Sequence, residues 1–124
     1  MISIGTKLIV SDNSGAKLAK CIKILGGSKT RKAQINEIII VSIKDANVKS
    51  KLKVEAGQVH RGLILETKKG IRRKDGAFIK PLRNRVILVN AKNMAVGSRI
   101  SGIGSYELRK KFGSKLASLT KGTV

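Results

Sequence analysis

The feature that most constrains the fold is a series of short apolar segments rich in Ile, Val and Leu, separated by Gly, Asn, Asp and Ser. In chain order the segments read "TKLIV", "KCIKIL", "EIIIVSI", "GLILETK" and "RVILVN". Segments of this length with β-branched residues predict strands, and no helical period lies between them. We therefore predict an all-β fold of five or six strands, as a small closed barrel or a sandwich rather than a parallel sheet. A barrel would also hide the edges of strands as apolar as "EIIIVSI".

The last quarter of the chain changes character. Ser105 is a plausible N-cap, Leu108 and Phe112 lie four residues apart on one helical face, and Gly113 can end the turn. This pattern predicts one or two short carboxyl-terminal helices packed on the strands, with Lys121–Val124 frayed. No repeat or linker divides the chain, so we expect a single domain over residues 1–124.

Charge indicates the kind of partner. The chain has 27 basic and 7 acidic residues, which gives a formal net charge of +20. Such self-repulsion opposes folding unless a polyanion neutralises it, so the composition favours nucleic acid first and an anionic membrane second. The alternative is a basic surface that serves solubility only.

The densest basic stretch is "TKKGIRRKDGAFIK", residues 67–80, which also contains a turn signal. The pair Asp75-Gly76, flanked by residues able to extend, predicts a β-hairpin. This turn would place Arg72, Arg73 and Lys74 on one rim, where they would form an anion-binding surface.

Nothing in the chain indicates catalysis, a metal site or a cofactor. The acidic residues are scattered, and one cysteine with one histidine cannot build a Cys/His zinc site within the chain. Cys21 is interpreted as a small buried hydrophobe and His60 as a packed or RNA-facing side chain. The glycine-rich loops lack the Walker spacing. The longest apolar run, Ile38–Val41, is too short to span a bilayer, and the amino terminus does not resemble a secretory signal.

Few aromatic residues are available to stack bases, because Phe78, Tyr106 and Phe112 are the only ones. A single-strand reader is therefore disfavoured, and the helical segments are too short and late for a major-groove reader. Basic loops on a rigid β scaffold suit structured RNA. A DNA-packaging protein would need a minor-groove arm or wedge, and a membrane-surface protein a broader amphipathic helix than residues 105–119 supply.

Several distinctive motifs occur together in one order: "GTKLIVSDNSGAK", "CIKILGGSK", "TKKGIRRKDG", "VILVN" and "GSRISG…ELR". From Thr6 to about Leu119 their order and spacing resemble the large-subunit ribosomal proteins of the bacterial-type L-fourteen family. The resemblance implies a five-stranded barrel with a protruding β-ribbon and short carboxyl-terminal helices. It also implies binding to large-subunit rRNA, a place at the subunit interface with a bridge to small-subunit rRNA, and the L-three and L-nineteen proteins as neighbours. It implies no membrane and no small-molecule substrate.

The same resemblance implies which residues contact RNA. They lie in "SDNSGAK", in "KILGGSKTRK", in the basic hairpin and in "GSRISG…ELR". The predicted contacts are Asn13, Ser14, Lys17, Lys23, Lys29, Arg31, Lys32, Lys68, Lys69, Arg72, Arg73, Lys74, Arg99 and Arg109.

Some positions depart from the family pattern. The segment Pro81-Leu82-Arg83 stands where the family usually has an aromatic residue and two acids, and Ile103 where it favours Pro. Pro81 lacks a backbone donor and is expected at a strand end or edge. The high charge, with much Lys, Ile and Asn, resembles an organelle-encoded, mitochondrial protein, made where it works and so without a transit peptide. A bacterium of low GC content explains the composition nearly as well.

Overall fold

The computed structural model describes residues 1–25, 32–47 and 54–124. The strands of these ranges are β1 (Ile2–Ser3), β2 (Lys7–Val10), β3 (Ala16–Ile24), β4 (Lys32–Ala33), β5 (Ile38–Ala46), β6 (Val59–Glu66), β7 (Ile71–Arg72), β8 (Phe78–Ile79) and β9 (Arg85–Val89). Two short helices follow, α1 (Tyr106–Phe112) and α2 (Ser114–Leu119).

Five of the strands close into a barrel in the order β2-β3-β5-β6-β9. Neighbours pair antiparallel, except that β2 and β9 close the barrel as a parallel pair through Ile9 opposite Arg85 and Val10 opposite Val86. The closed order confirms the predicted all-β barrel and excludes the sandwich. Closure also leaves the apolar strands β5 and β6 without a free edge.

The continuous apolar runs of β6 and β9 arise because both faces of these strands are covered. Ile64, Val86 and Leu88 belong to the cluster that fills the barrel. Their neighbours along the strands, including Leu63 and Ile87, belong to a second cluster on the outer face. Because successive side chains of a strand point to opposite faces, a run of apolar residues builds both clusters at once.

The outer cluster is covered by the two helices, whose buried residues include Leu108 of α1 and Leu116 of α2. Both helices confirm the prediction from the last quarter of the sequence. Ser105 holds the N-cap position of α1, but its hydroxyl makes no capping bond and accepts a hydrogen bond of 2.8 Å from the Asn36 side chain instead. Gly113 ends α1 with φ of 85°, a conformation that glycine adopts without strain.

The basic hairpin predicted around Asp75-Gly76 is present as an antiparallel ribbon of β7 and β8, with Ile71 opposite Ile79. Gly76 has φ of 91°, and the Asp75 carboxylate accepts the N–H of Ala77 at 3.0 Å. These are the roles expected of an Asp-Gly turn. Pro81 lies just beyond β8, at a strand end as expected.

The carboxyl terminus differs from the frayed end that we expected. The N–H of Gly104 donates to the Gly122 carbonyl at 3.0 Å, and the N–H of Val124 donates to the Gly104 carbonyl at 3.0 Å. The N–H of Tyr106 donates to the Val124 carbonyl at 3.0 Å. The last residues are held because they pair with residues 102–106. The sequence around residues 121–124 does not reveal this pairing, because the partner segment is distant in the chain.

Candidate nucleic-acid interface

Few cations of the described ranges have a carboxylate partner within the protein. The described ranges contain two ion pairs: Arg73 lies 2.9 Å from Glu107, and Arg85 lies 3.6 Å from Glu66. Both use an arginine, so no lysine of the described part has a carboxylate partner there. No carboxylate of the described part therefore neutralises these lysine charges, and an external anion could do so.

The described residues bring several cations together beside the amino terminus. Pairing of β1 with β4 sets Ser3 opposite Lys32, and the Lys69 ammonium lies 3.9 Å from the Met1 sulfur. Met1, Lys69 and Arg72 line one cavity of about 350 Å³ at the base of the ribbon. We call this group, formed by the Met1 amino group, Lys32, Lys69 and Arg72, the amino-terminal basic cluster.

The amino-terminal basic cluster repels its own charges. Burial, followed by the charges of Lys69 and Lys32, lowers the pKa of the Met1 amino group below its ordinary value of 8.0. A bound phosphate placed among these groups would relieve the repulsion. The sequence motifs did not point to the amino group, because its proximity to residue 69 is created only by the tertiary fold.

On the ribbon itself the basic residues differ in their surroundings. Arg72 and Lys74 are exposed, as the prediction requires. Arg73 is instead half-buried: its Nε donates to Glu107 Oε1 at 2.9 Å and its Nη2 to Glu107 Oε2 at 3.3 Å. Nη2 also donates to the Val124 carbonyl oxygen. Arg73 thus joins the ribbon to α1 and to the carboxyl terminus. The prediction placed Arg72, Arg73 and Lys74 on one rim, but in the structure Arg73 faces Glu107 while Arg72 and Lys74 are exposed.

The Arg73–Glu107 pair also affects the acid. Burial by itself would raise the pKa of Glu107, but a hydrogen bond from its own backbone and the bonds and charge of Arg73 hold the pKa below its ordinary value of 4.5. Glu107 therefore stays ionised at neutral pH and keeps one guanidinium engaged.

The loop after β2 is built by its own polar side chains. Asp12 accepts from the Ser14 hydroxyl at 2.5 Å through one oxygen and from the N–H of Leu88 at 3.0 Å through the other. Asn13 Oδ1 accepts from the N–H groups of Ser98 at 2.8 Å and Arg99 at 3.1 Å. This loop therefore fixes the backbone that carries the exposed Arg99 side chain.

Asn13 and Ser14 thus have internal partners in addition to any RNA contact. Ser14 is buried, whereas Asn13 is exposed although its amide also donates to the Ser98 hydroxyl at 2.8 Å. Gly97 lies so close that an added Cβ would stand 2.6 Å from Asn13 Oδ1. The structure therefore brings Asn13 and Arg99 together.

The other predicted contacts are dispersed. Lys17 and Lys23 are exposed along β3, Lys68 is exposed before the ribbon, and Arg109 is exposed on α1. Lys29 and Arg31 lie outside the described residues.

Cys21 is buried, and His60 has a hydrogen-bond partner. Cys21 is 1% exposed, and burial raises the pKa of its thiol, so the interpretation as a small buried hydrophobe is confirmed. His60 Nε2 lies 2.9 Å from Gln58 Oε1. Over the ranges 1–25, 32–47 and 54–124, no group of His, Cys, Asp and Glu could hold a metal ion, and no helix is long and apolar enough to cross a membrane.

Comparison with known protein families agrees with this geometry. The family model for ribosomal protein L14p/L23e matches residues 1–124, the whole chain. A basic β-barrel suits the structural role in the large ribosomal subunit that this family implies. The chain is a member of the ribosomal protein L14p/L23e family.

Proposed function

We propose that the protein binds large-subunit rRNA as one unit over residues 1–124. The amino-terminal basic cluster, the exposed Arg72 and Lys74 of the ribbon, and Arg99 beside the Asn13 loop are the main contacts. The observation that supports this most is geometric: Lys69 and Arg72 line one cavity with Met1, and neither has a carboxylate partner in the described residues. A bound polyanion would neutralise the repulsion between these cations and so stabilise the folded protein.

Structured RNA fits this surface better than duplex DNA. The cations stand on loops and strand ends around a rigid barrel, where they can follow an irregular phosphate path. The longer helix, α1, has 7 residues and makes an ion pair with the ribbon, so it is not free to enter a major groove.

The resemblance noted from the sequence supports the finer parts of the proposal. They are a position at the subunit interface, a bridge to small-subunit rRNA, and the L-three and L-nineteen proteins as neighbours. The composition supports a mitochondrial ribosome, with a bacterial cytoplasmic ribosome as the alternative. The remaining predicted contacts belong to the same proposal: Asn13, Ser14, Lys17, Lys23, Lys29, Arg31, Lys68, Arg73 and Arg109.

The experiment compares two double variants that lose the same charge. Lys69→Gln with Arg72→Gln alters the amino-terminal basic cluster, and Lys92→Gln with Lys115→Gln alters exposed lysines outside every predicted contact set. The affinity for a folded rRNA fragment is measured at several salt concentrations. We expect the wild-type log affinity to fall with log salt at a slope of about −4 to −7. The cluster variant should reduce the magnitude of this slope by about two and weaken binding by roughly 1 to 3 kcal/mol.

The matched control should change affinity far less, because its lysines are dispersed. Equal effects of the two double variants would show that binding depends on total charge and not on the cluster. Equal affinity for the rRNA fragment and for duplex DNA of the same length would contradict structured RNA as the partner. Large subunits sedimented through a high-salt wash should retain the wild-type protein.

A further inference from the structure

A cleft of about 600 Å³ lies between the return of the ribbon and the segment of residues 101–105. Aliphatic side chains form part of its walls: Leu65, Ile79, Pro81, Leu82, Ile103 and Val124. None of the described residues that line it is aromatic. This volume falls in the range of pockets that bind a small ligand or the side chains of a peptide.

The cleft exposes apolar side chains to water. Leu82 is 88% exposed, Val124 is 55% exposed and Ile103 is 49% exposed, and all three line it. Single exposed apolar residues are common, but several around one concave site indicate a surface that a partner covers.

Unpaired cations surround these apolar walls. Lys80 and Arg83 stand on the ribbon wall and Lys121 on the carboxyl-terminal wall, where its N–H donates to the Gly102 carbonyl at 3.2 Å. Their side chains form no ion pair with any residue of the described ranges. The cleft is therefore positive on two opposite walls.

The one carboxylate side chain that lines the cleft is already engaged. Glu66 Oε1 accepts from the N–H of Ile103 at 3.2 Å, and Glu66 Oε2 lies 3.6 Å from Arg85 Nε. Glu66 therefore fixes the position of the wall and leaves Lys80, Arg83 and Lys121 to an external anion.

We propose that this cleft binds an extended protein segment in which an aliphatic side chain is flanked by carboxylates. The aliphatic side chain would pack between Leu82 and Ile103, and the carboxylates would meet the cations of the two walls. RNA fits less well, because polar and charged groups bind phosphate and ribose, and RNA would leave the exposed Leu82 and Ile103 side chains without an apolar partner. The inference goes beyond the proposed function, since it assigns a protein-binding role and a sequence preference to one cleft, and this cleft is separate from the amino-terminal basic cluster.

The test uses the full-length protein with ¹³C-labelled methyl groups and three probes. The first is a capped pentapeptide with one leucine between two pairs of acidic residues, the second has glycine in place of that leucine, and the third is pentauridylate. We expect the leucine peptide to shift the methyl signals of Leu82, Ile103 and Val124 in a saturable manner. The glycine peptide should bind more weakly by about tenfold, as expected when one leucine side chain is no longer buried.

Variants separate this site from general charge. Leu82→Ser should weaken binding of the leucine peptide by about tenfold or more. Ile22→Ser alters an exposed aliphatic residue outside the cleft, on β3, and should leave the affinity for this peptide unchanged. Leu82→Ser should also bind the folded rRNA fragment as wild type does, so a failure here is distinct from a failure of the proposed function. Equal binding of the leucine and glycine peptides would overturn the proposal. Saturable shifts of the same three methyl signals by pentauridylate would overturn it too, because they would assign the cleft to the RNA surface.

Discussion

Individual polar residues of the loop after β2 make hydrogen bonds within the protein. Asn13 bonds to the backbone of residues 98 and 99 and to the Ser98 hydroxyl, across 85 positions of sequence. A sequence motif can mark such an asparagine as important, but it cannot distinguish a contact to RNA from a contact that positions Arg99. The tertiary structure shows that Asn13 positions the backbone of Arg99, and its contact with RNA stays a prediction.

The role of Asn13 can be tested by stability. Asn13→Ala removes the acceptor of two N–H groups, so we expect a loss of about 1 to 2 kcal/mol in the free energy of unfolding. Asn13→Asp should lose less, because a carboxylate still accepts both bonds. Gln34→Ala removes an exposed amide of similar size and serves as the control in urea unfolding. A loss in Asn13→Ala no greater than in the control would contradict this role.

The Arg73–Glu107 pair predicts a pH dependence. Because the folded protein lowers the pKa of Glu107 from 4.5, the pair stabilises the fold above that pH, and this contribution is lost as the pH falls through the folded pKa. Glu107→Gln should cost about 0.5 to 1 kcal/mol at pH 6, since the pair is partly exposed to solvent. The difference from wild type should shrink towards pH 3 in chemical unfolding. Glu55→Gln, at an exposed turn position, should show no such difference, and a gap that stayed constant with pH would exclude the electrostatic explanation.

At the scale of elements, local signals were predictable and distant partners were not. The Asp75-Gly76 turn specifies the ribbon, because its backbone demands lie within a few residues. The partner of Arg73 lies 34 positions away on α1. The segment that holds the carboxyl terminus, residues 102–106, also shows no local pattern that marks it as a partner. Strand β3 begins at Ala16, whereas the apolar segment in the sequence begins at Lys20. The first residues of the strand are missed because bulges interrupt the alternation of apolar and polar side chains there.

Two glycines of the ribbon predict different effects of the same substitution. Gly70 has φ of 79°, and an added Cβ would lie 2.3 Å from the Ile79 carbonyl oxygen, whereas Gly76 has φ of 91° with open space around it. Gly76→Ala should cost about 1 kcal/mol of backbone strain. Gly70→Ala should cost more and separate β7 from β8, because backbone cannot move aside as a side chain can. We would measure thermal unfolding and rRNA affinity, and equal losses in the two variants would contradict the predicted contact.

In the whole molecule, strands β6 and β9 separate the apolar cluster inside the barrel from the apolar cluster on its outer face. Runs such as those of β6 and β9 predict burial, but not which face points inwards, because that depends on closure. The closing pair, β2 with β9, joins residues about 76 positions apart, for example Ile9 with Arg85. Local patterns therefore predicted the strands and a closed barrel or a sandwich, and the resemblance to a known family predicted the five-stranded barrel.

The last prediction concerns the charge of the whole molecule, +20, which acts against folding and for binding. Salt screens repulsion between exposed charges, so NaCl should stabilise the free protein while it weakens the complex with RNA. Between 50 and 500 mM NaCl we expect stabilisation of about 1 kcal/mol, which corresponds to a rise in Tm of about 3 to 6 °C. At low salt a folded rRNA fragment should raise Tm by binding the native state, and this gain should disappear at high salt. Lys69→Gln with Arg72→Gln should raise Tm of the free protein and reduce the gain from RNA. A Tm that fell with NaCl in the free protein would show that repulsion does not limit its stability.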